Sequence, residues 1–323
     1  FGSSFGGGPP RKGEGGPRRG TLLARPFSAR SRMLLKEVWS SFGSLPIHLP
    51  LRDGMGKLDP EWDRAFEIAD TAEKGLAREV ATDFLQPLRK SSRLWRFRVL
   101  RSEDKLQFRL LDDSGNFLMY ARVSLEAKRV EFFLYDPQLR DATLRHALRP
   151  VFTMGHSDDA SEWLLVSEQC ELCQFSQRHW SCACRGRQQV LQVRQWSQAD
   201  GKAAFNAMDA FIPGLYSDGN RVVWCPLQDR GDLADGEEGS FEVQRLTTKR
   251  PVWNKEVQSF VLDFKSRNVI PSAKNFQLTL QQKPEHVICQ FGRLGPSSYS
   301  LDLRYPLSLI QAFGLSISTL FWK

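Results

Sequence analysis

The most apolar stretch of the chain is at its C-terminal end, where residues 306–321 include no charged side chain. Pro306 is predicted at the first helical position, because its missing N–H would have no intrahelical partner there. Large apolar side chains recur at helical spacing after it: Leu307, Ile310, Phe313, Ile317 and Leu320. Other apolar residues fall on the remaining faces, so the helix must be enclosed. It is either an ordinary core helix or a helix that fills a ring of strands.

Short strand-like segments follow one another from Leu94 onward. About a dozen are predicted, with few helices between them and with turn chemistry at 112–116: 94–100, 105–111, 117–123, 130–135, 163–167, 188–196, 221–224, 241–246, 259–264, 275–280, 286–291 and 299–303. The pattern is weak between Leu139 and Asp209. Many short strands of this kind favour a mainly β fold, an antiparallel sandwich or barrel. An apolar helix that follows them fits a closed barrel whose interior the helix fills.

A second helix is predicted over 59–85, with Asp59 as N-cap, Pro60 at the first helical position and Pro87 after its end. This helix either packs on the domain that follows or docks on a partner. Residues 1–57 form a predicted arm and linker, residues 58–90 a helical segment, and residues 93–323 the barrel domain. The segment 1–30 is rich in Gly, Pro and Arg, and is predicted to be disordered.

The net charge of +8 is concentrated near the start of the sequence. Residues 1–37 carry eight basic residues against Glu14 and Glu37, which accounts for +6 of the total. Any anion-binding surface on the remainder must therefore be a local patch. The basic arm is a solvated tail, or it binds RNA or acidic lipid. The first residue is Phe, so we expect the true N-terminus and any targeting signal to lie outside this sequence. No segment is long enough for a transmembrane helix.

A cluster of cysteines raises the question of a metal. Five zinc-type ligands fall within fifteen residues: Cys170, Cys173, His179, Cys182 and Cys184. Their spacing matches no common zinc-finger pattern, so buried thiols or a disulfide are the simpler interpretation. Cys225 and Cys289 lie in predicted strands and are expected to be small core residues.

Motifs for catalysis are not found in the sequence. No phosphate-cradling glycine loop follows a strand, and there is neither a nucleophile elbow nor a zinc-protease helix. The five histidines are scattered. We therefore predict a protein that is not an enzyme and that needs no cofactor.

Several motifs resemble, in order and with matching spacing, the C-terminal domain of tubby-like proteins. The likeness is close over residues 249–323, in KRPVWN (249–254), QSFVLDF (258–264), SAKNFQ (272–277), QFGR (290–293), DLRYPL (302–307) and QAF (311–313). It is weaker over 106–248, poor from about 138 to 205, and not found before Arg93. The resemblance implies a closed twelve-stranded antiparallel barrel threaded by the C-terminal helix.

The motif residues themselves suggest packing. Gly292 is expected at a place where a side chain would block a backbone conformation or a close approach. Four aromatic residues are predicted to point into the barrel against Phe313 and Leu320: Trp253, Phe260, Phe264 and Phe276.

The resemblance also implies binding of phosphoinositide headgroups by a run of Lys and Arg on and after the second strand. The corresponding segment here is LMYARVSLEAKR (118–129), in which Arg122, Lys128 and Arg129 are basic. Uncharged or acidic residues stand at the central places of the run: Val123, Ser124, Leu125 and Glu126. The three cations are the candidate site, since closely spaced cations can contact several phosphate oxygens at once. A solvated rim of the barrel is the alternative explanation for them.

Together these features predict a non-enzymatic, phosphoinositide-binding adaptor that is cytoplasmic and peripheral at the plasma membrane, with the cilium or the nucleus as other locations. The arm and the N-terminal helix would engage protein partners or membrane cargo. One alternative is a nucleus-associated regulator that binds nucleic acid through the basic arm. Another is a protein-interaction scaffold whose barrel has lost lipid binding.

Overall fold

The computed structural model describes residues 77–134, 150–168, 170, 187–201, 203–225, 233–235, 242–265 and 267–322. The predicted basic arm and most of the predicted N-terminal helix lie outside these residues. Fourteen strands are found in the described part: β1 Trp95–Arg101, β2 Gln107–Asp112, β3 Phe117–Ser124, β4 Arg129–Phe133, β5 Phe152–His156, β6 Glu162–Ser167, β7 Gln188–Ala199, β8 Ala204–Pro213, β9 Val243–Thr248, β10 Val252–Asn254, β11 Ser259–Val261, β12 Phe276–Leu280, β13 Lys283–Arg293 and β14 Ser298–Leu303. The two helices are α1 Ala77–Leu85 and α2 Leu309–Thr319, and a 3-10 turn covers Leu233–Asp235.

Twelve of the strands form a closed barrel, as predicted. Its order is β1-β14-β13-β12-β9-β8-β7-β6-β5-β4-β3-β2, and β2 pairs with β1 to close the ring. Every pair around the ring is antiparallel. A closed ring has no exposed strand edge, which explains how so many short strands are stabilised together. The remaining two strands, β10 and β11, form a separate hairpin.

Ten of the predicted strands belong to the barrel, and two do not. Residues 221–224 make only isolated bridges, such as Gln189 with Trp224. The predicted strand 259–264 supplies β11 of the hairpin, not a barrel strand. The two barrel strands that the pattern missed are β5, which lies within the region of weak pattern, and β8, which begins in it.

Helix α2 fills the barrel, and all eleven of its residues are buried. It begins three residues later than predicted, so the placement of Pro306 in its first turn was wrong. Ser308 is the N-cap, and a capping box joins its side chain and backbone to Gln311. The buried amide of Gln311 also donates to the carbonyl of Val190 on β7 at 3.0 Å, so polar contacts as well as apolar packing hold the helix.

The antiparallel strands and α2 define two ends of the barrel. The upper end is where α2 begins, next to the chain leading into β1 and the residues after β14. The lower end is where α2 ends, and Phe321 packs there against Trp163 of β6 with ring centroids 5.3 Å apart. Six connections leave and rejoin the ring at the lower end: the turns at 102–106, 125–128, 200–203 and 294–297, the loop 157–161, and the long connection 249–275 that includes the hairpin. The part of the long connection around Arg267 runs along the outside of the ring, where Arg267 contacts Asp302 of β14 and Asp113 of the β2–β3 turn.

Only one of the four aromatic residues predicted to face α2 lies in the main core. Phe276 of β12 is buried there, in contact with Phe291. Trp253 and Phe260 lie instead in the β10–β11 hairpin, where their rings pack against each other at 5.2 Å. Phe264 is buried outside the ring, close to Gly292. The prediction failed because 259–264 was taken to be a barrel strand, whereas Ser259–Val261 pairs with Val252–Asn254 in a hairpin outside the ring.

Gly292 lies where two chain segments approach closely, as predicted. A Cβ atom at this position would be 2.6 Å from Cγ2 of Val269 and 3.2 Å from Cε1 of Phe264. The outer face of β13 is therefore covered by the segment that follows the hairpin, and only glycine leaves room for it.

Helix α1 packs on the barrel domain. Phe84 and Leu85 are buried in the same core as α2, and the backbone N–H of Leu88 donates to the carbonyl of Leu307 at 3.0 Å. The helix ends at Leu85, before Pro87, as predicted. Residues 77–85 therefore have the first of the two roles predicted for the N-terminal helix, which is packing on the domain that follows.

Candidate functional site

The candidate lipid site lies at the lower end, on the hairpin formed by β3 and β4. Arg122 is on β3 directly opposite Glu131 of β4, and Arg129 is two residues before Glu131 on the same strand. Opposed residues and residues two apart point to the same face of a sheet, so all three side chains lie on the outside of the barrel. Lys128 is in the connecting turn, with a left-handed φ of 47°.

Glu131 holds the two arginines together. Its Oε2 accepts a hydrogen bond from Nη2 of Arg122 at 2.8 Å, and its Oε1 accepts from Nε and Nη2 of Arg129 at 3.0 and 2.6 Å. The Glu131 side chain is buried, whereas those of Arg122 and Arg129 are 51% and 49% exposed. The guanidinium of Arg122 also lies 5.6 Å from the ring centroid of Phe133. Both guanidinium groups are therefore positioned, with part of each open to solvent.

The two arginines keep Glu131 ionised. Burial acts to raise the pKa of this carboxyl, but the hydrogen bonds from Arg122 and Arg129 and their charges outweigh it, so the pKa is lowered from its ordinary value of 4.5. A depressed folded pKa means that the ion pairs contribute stability above the unfolded value and lose it as the pH falls through the folded one. At neutral pH the site therefore carries a permanent negative charge between two positive ones.

Lys128 has its own acidic partner. Its Nζ lies 2.5 Å from Oδ1 of Asp158, a residue of the loop between β5 and β6. The hydrogen bond and the charge of Lys128 lower the pKa of Asp158. Asp158 is almost fully exposed, so this ion pair costs little to open.

The structure brings the three predicted cations to one rim, with two carboxylates beside them. One net positive charge remains in the cluster of Arg122, Lys128, Arg129, Glu131 and Asp158. Neither acidic partner was predicted from the sequence. Glu131 could have been found from the two-residue period of β4, once the register of the hairpin was known, whereas Asp158 is 30 residues from Lys128 and has no local signal.

A second group of cations, which the sequence analysis also missed, lies at the upper end. Nη1 of Arg304 donates to the carbonyl of Ser92 at 3.1 Å and lies 3.0 Å from Nε2 of His286. Burial, Arg304 and Lys283 lower the pKa of His286, so the ring accepts the Arg304 hydrogen bond in its neutral form. Nζ of Lys90 lies 4.8 Å from the ring centroid of Tyr305. This group joins the chain before β1 to the residues after β14.

The predicted zinc ligands fall almost entirely outside the described residues. Cys170 is described, and it is buried beside Cys225; Cys173, His179, Cys182 and Cys184 are not. Within the described part of the chain, no group of three or more His, Cys, Asp or Glu side chains is arranged to hold a metal ion. Cys225 and Cys289 are buried, as predicted for small core residues. Burial also raises the pKa of the Cys289 thiol well above its ordinary range.

These features define a class of protein: a closed antiparallel barrel built around a buried helix, with paired arginines on one rim. In the described part of the chain, no helix has both the length and the apolar character needed to cross a membrane.

Comparison with known proteins agrees with this class. Residues 86–321 match the Tub family, and the chain belongs to it. It is 38% identical over 114 residues to "Protein king tubby" of Anopheles gambiae, covering 35% of this chain and 26% of that protein. It is 34% identical over 146 residues to "Tubby protein homolog 1" of Caenorhabditis elegans, covering 42% and 34%. It is 29% identical over 150 residues to human "Tubby-related protein 3", covering 46% and 34%. The chain thus spans about a third or less of the length of these relatives.

Proposed function

We propose that the barrel binds phosphoinositide headgroups through Arg122, Lys128 and Arg129, and that the protein is a non-enzymatic adaptor peripheral at the plasma membrane. The observation that carries this proposal is the pair of half-exposed guanidinium groups fixed on Glu131. Each guanidinium has five N–H donors, and the contacts with Glu131 use one of Arg122 and two of Arg129. The remaining N–H groups of the two arginines can therefore donate hydrogen bonds to phosphate oxygens without reorganisation of the site.

Lys128 would join the site by exchanging partners. Its bond to Asp158 is at the surface, where water competes with the ion pair, so a phosphate with a higher charge can displace the carboxylate. A bisphosphate headgroup would then contact the two arginines on one side and Lys128 on the other. Membership in the Tub family is consistent with this role, and the membrane cargo of such an adaptor would be bound elsewhere on the chain.

A protein-interaction scaffold is the second candidate function. The observation that favours it is that each of the three cations already has an acidic partner within the barrel, which leaves one net positive charge. In that case the arginines and Lys128 would serve to stabilise the rim.

Sedimentation with liposomes at two salt concentrations tests the first candidate. We expect Arg122→Ala combined with Lys128→Ala to abolish the preference for vesicles that contain a bisphosphate phosphoinositide over vesicles with singly charged lipids. Each removed cation is worth about 1 kcal/mol of attraction to an acidic surface. A residual, salt-sensitive attraction should remain, supplied by the basic residues of 1–37.

The matched control removes the same charge from the upper end, as Lys90→Ala with Arg93→Ala. This variant should keep the preference for the bisphosphate lipid. If the unmodified protein shows no such preference, headgroup binding is excluded and the scaffold function is favoured.

Glu131→Gln should strengthen headgroup binding. The substitution removes the negative charge that competes with phosphate for both arginines. The amide oxygen can still accept from one arginine, but the amide NH2 group cannot accept from the other. We expect the affinity for the soluble bisphosphate headgroup to rise about tenfold, equivalent to about 1.4 kcal/mol, in a calorimetric titration. The thermal stability should fall, because one arginine loses its acceptor at position 131 and the other keeps a hydrogen bond to an uncharged oxygen.

The control for this prediction is Asp158→Asn, which removes an exposed carboxylate that binds only Lys128. This variant should also bind the soluble headgroup more tightly, but the gain in affinity should be smaller than that of Glu131→Gln. An unchanged or weaker affinity of the Glu131→Gln variant would mean that phosphate does not bind between the two arginines.

A further inference from the structure

Exposed apolar side chains are concentrated at the lower end of the barrel. Among the residues that the structure describes, eight large hydrophobic side chains are exposed. Trp95 and Tyr216 are at the upper end, and the other six are on or beside connections of the lower end: Leu125, Trp196, Val252, Val257, Val261 and Ile270. Single exposed apolar residues are common on any protein, but a concentration of them at one end marks a contact surface.

The β10–β11 hairpin has an apolar pair on each face, and the outer face also carries the polar pair of Asn254 and Ser259. On one face Trp253 and Phe260 are paired across the strands, and Phe260 packs on Phe205 of β8 with ring centroids 5.2 Å apart. On the other face Val252 is directly opposite Val261, and both are exposed. A surface hairpin ordinarily turns a polar face to water. The exposed pair of Val252 and Val261 therefore has no partner among the described residues.

Two connections of the lower end carry an aliphatic residue at the tip. Leu125 is 65% exposed in the turn between β3 and β4, and Val257 is 60% exposed at the tip of the β10–β11 hairpin. The hairpin tip is ordered by Asn254, whose Oδ1 accepts hydrogen bonds from the backbone N–H of Glu256 and Val257 at 2.8 and 3.3 Å. Each tip has one acidic and one basic neighbour: Glu126 and Lys128 follow Leu125, and Lys255 and Glu256 precede Val257.

The positions of the two tips around the ring indicate the shape of the partner. The connection that contains the hairpin joins β9 to β12, and in the order of the barrel this pair is six places from β3 and β4. Six places in a ring of twelve is the opposite side. A bound peptide would reach one tip only, whereas an extended flat surface placed against the lower end would reach both.

We propose that the lower end inserts into an acidic bilayer, with Leu125 and Val257 entering the boundary of the acyl chains and the Val252–Val261 face of the hairpin packing at headgroup depth. Apolar area and nearby cations add to each other in interfacial binding of this kind. The inference rests on the proposed headgroup site, which lies at the same end, and it adds a second source of affinity that does not depend on the lipid headgroup.

The test uses the full chain with Leu125→Ser and Val257→Ser combined. Both side chains are exposed, so the double variant should fold normally. On vesicles of phosphatidylcholine, phosphatidylserine and phosphatidylinositol bisphosphate we expect its partition coefficient to fall about tenfold. Its rise in surface pressure on a monolayer of the same lipids should also be smaller. Affinity for the soluble bisphosphate headgroup, which involves no acyl chain, should be unchanged. The control Trp95→Ser removes a side chain of similar exposure, 47%, from the upper end and should change none of these values.

Each outcome separates insertion from headgroup binding. If the double variant binds vesicles as tightly as the unmodified protein, insertion is overturned, and headgroup binding stands wherever its preference persists. If the unmodified protein shows no headgroup preference but the double variant still loses vesicle binding, headgroup binding is overturned and insertion stands. An equal loss in the Trp95→Ser control overturns insertion at the lower end. Insertion is also overturned if the double variant has a smaller sedimentation coefficient in solution than the unmodified protein, because the apolar surface would then join two copies of the chain.

Discussion

Phe313→Asp is expected to prevent the chain from folding. Phe313 is in the middle of α2, has no exposed surface, and packs edge-on against Phe132 of β4 with ring centroids 5.6 Å apart. A carboxylate at this position would be enclosed by the barrel without a basic partner. The cost of several kcal/mol is comparable to the whole free energy of unfolding of a typical domain, about 5–15 kcal/mol. Expression as insoluble protein, or a circular dichroism spectrum without a cooperative thermal transition, would be the observed result.

Two controls separate the effect of burial from that of the substitution itself. Phe313→Leu keeps an apolar side chain and should fold, at a cost of about 1–3 kcal/mol for the lost volume. Leu125→Asp introduces the same carboxylate on an exposed turn and should leave the melting temperature nearly unchanged. A soluble Phe313→Asp variant that melts at the temperature of the unmodified protein would contradict a central role for α2.

The barrel could be predicted from the sequence because its main cause is visible there. A helix that is apolar all round, after a series of short strands, has few ways to be buried, and enclosure by those strands is one of them. The start of the helix could not be predicted as well. Pro306 is a common first residue, but Ser308 and Gln311 supply a capping box, and the hydrogen bonds of that box determine where the helix begins.

The errors among the strands have local causes. Strand β8 alternates poorly, because Asn206 and Asp209 interrupt its apolar residues and small alanines replace larger ones. The residues around Phe260 were predicted as a strand, but they pair with residues of the motif KRPVWN outside the ring. A pattern of alternation predicts that a strand will pair, and it does not specify which neighbour it will have.

The cations of the candidate site could be predicted from the sequence, but the net charge around them could not. Arg122, Lys128 and Arg129 could be assigned from one segment of sequence. Their effect on a phosphate depends on Glu131 and Asp158, which reach the site through strand register and through a loop distant in sequence. Carboxylates at such positions change a cluster of three positive charges into one with a single net charge. The sign and strength of the site therefore follow from the tertiary structure.

A buried ion pair helps to fix the chain between the hairpin and β12 to the barrel, and breaking it should have the second largest effect. Nε and Nη2 of Arg267 donate to the two carboxylate oxygens of Asp302 on β14, at 3.1 and 2.6 Å. The side chains are only 15% and 3% exposed. Oδ2 of Asp302 also accepts from Nε2 of Gln290 at 2.9 Å. Because of this arrangement the pKa of Arg267 is raised above its ordinary value.

Asp302→Ala should therefore destabilise the protein by about 3 kcal/mol, since the buried guanidinium keeps only the longer ion pair of its Nη1 with the exposed Asp113, at 3.7 Å. For a domain of this size the melting temperature should fall by about 10 °C. The double variant Arg267→Met with Asp302→Leu removes both charges and replaces them with apolar volume. It should be markedly more stable than Asp302→Ala, because the cost of the single change is the uncompensated charge and not the missing ion pair. If the double variant is instead as unstable as the sum of the two single variants, the ion pair contributes no coupling energy. The covering segment would then be held by the apolar contacts of Phe264 and Val269 over Gly292.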